Sequence, residues 1–361
     1  MRKYLVILAV LLGTTVSCER EFIRPAAEGV RISFQTGVPY TRAVTTPGDG
    51  VVADGGGIFI DNSNPSNPVP DLVILLAGPD STIVATYPEQ SEGTGIDSEL
   101  QDDPGATGLG VVFSGFTAEQ RDTTYIVYAF ANTEGMWVMT PGGASMTGAT
   151  AKDSLLSLTS VAVIDSLKFI PWGLSPRDTA LTIKSGRLPL SAKGTVRVSS
   201  GGTGEVSLAL IRGVAKITAR FINNTGAALS MTNYRNEFVG ISPDRSFVLP
   251  HVPSAPVDTL ARNLISVEEL LAIPKDGQDS ISWYVFPSKG PYTCNVSFTT
   301  SGESYNYTGL QVHDDHARDL SGLERNQHLR IETRISKGTT VSFNLEVTGW
   351  IDEKVERILF D

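Results

Sequence analysis

Cysteine is almost missing from this chain of 361 residues: there are two, Cys18 and Cys294. That is too few for a disulfide framework, so the fold must rest on an apolar core. Long apolar runs are missing too. The apolar run near the start, Tyr4 to Leu12, is far shorter than the roughly 20 residues of a membrane-spanning helix. Cations are in deficit: 29 Lys and Arg stand against 39 Asp and Glu, a net charge of -10. A chain this acidic is a poor phosphate binder, which argues against nucleic acid as a partner. Signatures of chemistry are absent as well. No Gly-rich loop follows a strand, and no Gly-x-Ser-x-Gly elbow, His-Glu-x-x-His or Cys-His pairing occurs. Neither an enzyme nor a cofactor is expected.

What is present begins with a leader. Arg2 and Lys3 precede the apolar run, as in a secretory signal. The stretch Val16-Ser17-Cys18 resembles a bacterial lipobox, with Thr15 standing where an aliphatic residue is usual. In a lipobox the cysteine thiol receives diacylglycerol and becomes the new N-terminus. Acyl chains such as palmitate, at about 0.8 kcal/mol per buried methylene, would tether the protein to a membrane. Lipidation at Cys18 would also leave Cys294 as a lone thiol. It lies in the strand-like "YTCNVSF", where a buried, inert thiol is expected.

The remainder reads as strands and turns. There are 35 glycines and 20 prolines, with abundant Thr, Ser and Val. "GVRISFQT" alternates, placing Val30, Ile32 and Phe34 on one buried face. A turn-rich segment, "GVPYTRAVTTPGDG", follows and should be exposed. "DLVILLAG" and "TTYIVYAFANTEG" are apolar on both faces, as in the centre of a sandwich. "GEVSLALIRGVAKITARFINNTG" is long enough for one extended strand, bulged at Gly213. Two closing strands, "HLRIETRI" and "TVSFNLEVTGW", end the pattern, with Val341, Phe343, Leu345 and Val347 sharing a face.

Helices are few. Residues 150–169 carry Leu155, Leu158 and Ile164 at helical spacing, with Thr150 or Asp153 as caps. A second, short helix is predicted over 262–272, with Ser266 as N-cap and Glu269 at the capping-box position. His313 and His316, beside Asp314, Asp315 and Asp319, have metal-ligand chemistry but read as a solvated acidic loop, so no metal is expected. Asp-Ser or Asp-Thr followed by an aliphatic residue or Thr recurs at Asp80, Asp122, Asp153, Asp165, Asp178, Asp258 and Asp279. The pattern resembles an O-glycosylation acceptor of exported bacterial proteins, and it equally suits turn and cap pairs.

Several landmarks stand in order: the lipobox, "YIVYAFANTEG", "RLPLSAKGTVRV", "LALIRGVAKITARFINNTG", "LERNQHLRIETRI" and "LEVTGWIDEKV". Together they resemble the fimbrillin family, the type V pilins and related fimbrial lipoproteins. The fold class expected is mainly β: two antiparallel β-sandwich domains, transthyretin-like or Greek-key, with short helical insertions. Residues 1–17 would be the signal peptide and 18–28 a tether. The first sandwich would span 29–200 and the second 201–361, with the hinge at "VSSGGTGE".

The resemblance implies a structural subunit of a cell-surface fimbria that supports adhesion and is anchored to the outer membrane through its lipid. It implies a trypsin-like protease that cuts after an arginine, and donor-strand exchange with other fimbrial subunits in a homo- or hetero-polymer. The cut would fall between Arg42 and Ala43, removing a first strand that carries Val30, Ile32 and Phe34. The tail after Trp350 is the candidate donor. Ile351, Val355 and Leu359 lie on one face, Ile358 and Phe360 on the other. Alternatives are an anchor subunit that keeps its lipid, or a surface lipoprotein that binds a glycan or host ligand. Trp137, Trp172 and Tyr292 are possible platforms for such a ligand.

Overall fold

The computed structural model describes residues 29–34, 58, 60–61, 69–90, 95–101, 110–133, 136–139, 150–171, 188–239, 246–249, 262–267, 271–289, 293–300, 302–314, 322–337 and 341–349. Among them the protein is mainly β, as expected, and its sheets pair face to face.

The first sheet holds β1 (Val30–Phe34), β6 (Asp97–Gln101), β7 (Gly110–Ser114) and β12 (Gly204–Leu208), in the order β12-β1-β7-β6. The second holds β4 (Leu72–Ala77), β5 (Ile83–Tyr87), β8 (Thr124–Ala131), β11 (Leu190–Arg197) and β13 (Ile211–Arg212), in the order β13-β11-β8-β4-β5. One apolar cluster unites them. It includes Val30, Ile32, Leu72, Ile74, Leu76, Val111, Phe113, Val127, Ala129 and Leu208. Strand β4 is buried at every position, as its continuous apolar run predicts. Leu72, Ile74 and Leu76 face this core, whereas Val73, Leu75 and Ala77 belong to another cluster on the opposite side of the sheet.

The third sheet consists of β14 (Ala215–Asn224), β19 (Gln278–Val285), β23 (His313–Asp314), β25 (Gln327–Ser336) and β26 (Val341–Gly349), ordered β19-β14-β25-β26-β23. The fourth has β15 (Leu229–Val239), β17 (Arg262–Val267), β18 (Leu271–Ile273), β21 (Thr293–Thr300) and β22 (Glu303–Gln311), ordered β17-β15-β21-β22, with β18 also on β15. Ile217, Phe221, Ile331, Leu345 and Val347 of one meet Met231, Val296 and Phe298 of the other in a shared core. Alternation in β21 is strict: Cys294, Val296, Phe298 and Thr300 are buried, and the residues between them are half-buried. Minor pairings complete the strands. They are β9 (Met136–Met139) with β10 (Lys168–Pro171) and β16 (Ser246–Phe247), β2 (Ile60–Asp61) with β3 (Val69–Pro70), and β20 (Ser288–Lys289) with β24 (Gly322–Leu323).

The further cluster joins the two pairs of sheets. Val73, Leu75, Tyr128 and Phe130 from the second sheet pack with Leu155, Val161 and Ile164. Val214, Val248, Leu249, Tyr284 and Phe286 from the later half close it.

Three expectations are corrected. Residues 150–169 are not one helix: α1 spans Ala151–Leu156, and a 3-10 turn spans Val161–Ser166. Thr150 caps α1 as predicted, accepting the Asp153 N–H. The break falls where the chain pairs with the start of β5 and the turn before it: Ile83 N–H donates to Thr159 O and Val161 N–H to Ser81 O. Second, Arg262–Val267 is strand β17, paired with Val239–Tyr234, and Leu271–Ile273 pairs with Leu229–Met231. The predicted helix is therefore absent, and Ser266 sits opposite Arg235 in a sheet rather than capping a helix. Partners on β15 outweigh a local capping pattern, since each ladder bond satisfies a buried polar group. Third, 204–226 is three strands, not one bulged strand. The chain leaves β12, crosses to β11 as β13, and enters β14 after Gly213. The segment "VSSGGTGE" forms a hydrogen-bonded turn, with Gly202 N–H donating to Ser199 O and Ser199 N–H to Thr203 O. The passage from the first pair of sheets to the second falls between Arg212 and Ala215, because β12 and β13 still pair with β1 and β11.

Candidate functional site

The first strand, β1, has the sequence the period-2 pattern singles out, and its surroundings define the site. β1 is an interior strand. On one side it runs antiparallel to β7, with Val30 opposite Phe113 and Ile32 opposite Val111. On the other it runs parallel to β12, with Arg31 opposite Glu205, Ile32 opposite Val206 and Phe34 opposite Leu208. Val30 and Ile32 are fully buried and Phe34 is 9% exposed. Without β1, two strand edges would lose their ladder partners above an apolar floor.

Polar contacts fix the register. Arg31 Nη2 donates to Gln101 Oε1 on β6 at 3.3 Å, reaching across β7. Ser33 Oγ donates a long bond of 3.5 Å to the Val206 carbonyl. Gly204 N–H donates to Gly29 O at 3.2 Å, where the strand begins. Gly29 has φ +143, and a Cβ there would lie 2.5 Å from the Phe113 carbonyl oxygen. Glycine is therefore required at the mouth of the groove. On the floor, a Cβ at Gly194 would meet Leu208 Cδ2 at 2.5 Å, so this glycine lets β12 settle over β11.

The sequence singled out Val30, Ile32 and Phe34, and the structure brings them together on one buried face. It did not reveal β12, β7 or Gln101 as their neighbours. The only local signal was the alternation of Val206 and Leu208, hidden inside what read as a longer strand. Cys18, Arg42 and Ala43 lie outside the described residues, as do Ile351, Val355, Ile358, Leu359 and Phe360. So do Trp172 and Tyr292; Trp137 falls in β9.

His313 and Asp314 form β23, parallel to Glu346 and Val347 of β26, so this part of the expected loop is strand. Asp315, His316 and Asp319 are outside the described residues, among which no three His, Cys, Asp or Glu side chains converge. Cys294 is buried in β21, donating its thiol to Asn236 Oδ1 at 2.9 Å, and burial pushes the thiol pKa far up. Such a thiol is not a nucleophile.

Three of the aspartates in the Asp-Ser and Asp-Thr pairs make local hydrogen bonds. Asp80 accepts the Thr82 N–H and hydroxyl at 3.0 and 2.8 Å, and the backbone bond leads in holding its carboxyl below the ordinary value. Asp153 accepts the Thr150 hydroxyl at 2.8 Å, and the following Ser154 is buried. Asp279 accepts the Ser280 N–H at 2.8 Å. Asp178 and Asp258 lie outside the described residues. Among the described residues no helix is long and apolar enough to cross a membrane.

Fold and site thus define a protein of paired β-sheets whose first strand is inserted between two later ones. No protein-family model matches the chain, and no curated protein matches it. Solved structures do. It is similar to the fimbrilin FimA of Porphyromonas gingivalis at 11% identity and a TM-score of 0.43, over 91% of this chain and 99% of that one. It is similar to the C-terminally truncated tip fimbrial protein Mfa3 of the same organism, at 12% identity and a TM-score of 0.45, over 77% and 93%. A candidate cell adhesion protein of Bacteroides eggerthii is matched at 12% identity and a TM-score of 0.48, over 92% and 99%.

Proposed function

We propose that this protein is a structural, non-enzymatic subunit of a cell-surface fimbria that supports adhesion. On this reading it is exported as a lipoprotein acylated at Cys18 and held at the outer membrane by its lipid. A trypsin-like protease cuts after Arg42, β1 leaves, and a strand from another subunit takes its place. The observation that carries the reading is the position of β1: interior to its sheet and buried along the face of Val30, Ile32 and Phe34.

The energetics suit a removable plug. Burial of Val30, Ile32 and Phe34 contributes about 1.5–3 kcal/mol each, and ladder bonds to two strands add to that. Loss of β1 would therefore remove a large share of a typical stability of about 5–15 kcal/mol. The opened groove would accept an extended segment by β-augmentation. The ordered motifs shared with fimbrillins support the same assignment.

Intact mass of the surface form tests it. A mature chain starting at Ala43 is expected of a polymerising subunit. A surface form that starts only at a lipidated Cys18 would refute polymerisation by cleavage and leave the anchor lipoprotein instead.

A further inference from the structure

Strand β22 ends the fourth sheet, and among the described residues no strand pairs beyond it. Its nine residues, Glu303–Gln311, make it the longest strand at any end of the four large sheets. Sheet edges are commonly guarded by lysine, proline or inward-pointing charge. β22 has no lysine or proline, and Glu303 is its one charged residue. Its guard is a bulge. The register slips between Cys294 and Val296, Gly309 has φ +68, and its N–H donates to Asn295 Oδ1 at 2.9 Å. The stretch before the bulge, Ser304-Tyr305-Asn306-Tyr307-Thr308, reads nearly the same in both directions.

Its two faces differ. Tyr305 and Tyr307 lean on the core, with ring centroids 5.1 and 6.5 Å from Phe298, and Tyr307 meets Phe343 edge-on at 4.7 Å. Tyr305 donates its hydroxyl to Glu303 Oε2 at 2.9 Å, which fixes the ring. Ser304, Asn306 and Thr308 are exposed on the other face. Thr300 and Glu303 are register partners across a two-residue connection, so they exchange ladder bonds. Alternation then turns the N–H and C=O of Ser304 and Asn306 away from β21, towards the open edge.

We propose that two copies of this chain join along β22, antiparallel and about a two-fold axis at Asn306, so that their fourth sheets become one. In this register Asn306 faces Asn306 of the second copy, Tyr305 faces its Tyr307, and Ser304 faces its Thr308. The outward backbone groups of the two Asn306 residues exchange ladder bonds. Aromatic pairs and Ser–Thr pairs are favourable cross-strand neighbours. Glu303 falls opposite Gly309, so no like charges meet. An axis at Tyr305 would set Tyr307 against Glu303, and one at Tyr307 would set Tyr305 against Gly309. A two-fold contact must be self-complementary, and a near-palindromic strand is.

The bulge keeps the contact short, so a single pair is weak. It needs neither cleavage nor strand exchange. On a fimbria built as proposed above, every subunit would carry the same edge, and many weak contacts would hold two fibres side by side.

The test uses the unprocessed chain made without its lipid, followed by sedimentation velocity from about 1 to 200 μM. Monomer is expected at the low end and dimer at the high end. Asn306→Pro removes an outward N–H without touching the β21 ladder, so it should abolish the dimer and spare the melting temperature. Asn306→Lys sets like charges face to face and should weaken the dimer about tenfold or more, as should Asn306→Glu. An equimolar mixture of those two variants should dimerise again.

A chain that stays monomeric throughout overturns the inference. So does a dimer indifferent to Asn306→Lys, which must use another surface, or a Lys–Glu mixture that fails to pair, which puts Asn306 off the axis. If Asn306→Pro unfolds the monomer, the two charge variants decide alone. Because the chain is unprocessed, strand exchange can fail while this pairing holds, and the reverse.

Discussion

Lys216 and His328 are register partners across the parallel pair β14–β25, and both are buried. Tyr284 flanks Lys216 on the other side, and His328 Nε2 shares a 2.9 Å hydrogen bond with Thr218 Oγ1. Burial, then the charges of Lys216 and Arg330, push the imidazole down from 6.5 to about 3. The ring is neutral in the folded protein at any ordinary pH.

Acid should therefore weaken the fold through this residue. Between about pH 3 and 6.5 the unfolded chain binds a proton that the folded chain refuses, so stability rises with pH and is lost as pH falls. The loss reaches about 1.4 kcal/mol per pH unit. Melting curves from pH 4 to 7 should show a shallower slope for His328→Gln than for the native chain. Identical slopes would remove His328 from the acid response.

Ile32 anchors the first strand. Ile32→Ala should cost about 2–5 kcal/mol in urea unfolding of the unprocessed chain. Val163→Ala, at a position 45% exposed, should stay within about 0.5 kcal/mol. Equal costs at the two sites would mean that β1 is not packed as described.

Gly29 begins that strand with a left-handed backbone pressed against Phe113. Gly29→Ala should destabilise by about 1–3 kcal/mol, and hydrogen exchange of the β1 amides should quicken before that of β21. An unchanged exchange rate in β1 would contradict the tight approach seen here.

Cys294 should ignore iodoacetamide at pH 8 in the native protein and react once urea unfolds it, since it is buried with its pKa raised. Stoichiometric labelling of folded protein, read by mass spectrometry, would contradict its burial.

Strands with strict alternation were legible in the sequence: β1, β21 and β26 each show their buried face by period two. Strand β4 was legible by its unbroken apolar run. The misreadings arose where a distant partner decides. Leu264, Val267 and Leu271 suit a helix as well as two strands, and only pairing with β15 settles the matter. Leu155 to Ile164 would extend a helix, had Ser81 and Ile83 not claimed the backbone at 159–161. At the site, Val30, Ile32 and Phe34 were visible as a face. The groove walls were not, because alternation marks which side of a strand is buried but says nothing of which strand lies beside it.

Ser33 and Val206 touch although 173 residues separate them. A chain growing from its N-terminus makes β1 first and its parallel neighbour β12 only after every other strand of the first sheet. Closing so long a loop costs entropy before any contact repays it. The earliest strand synthesised is thus among the last that can dock, and until β12 exists the first sheet has only one wall for it. Folding therefore passes through a stage in which β1 has β7 on one side and nothing yet on the other, and the face of Val30, Ile32 and Phe34 is closed over only when β12 arrives.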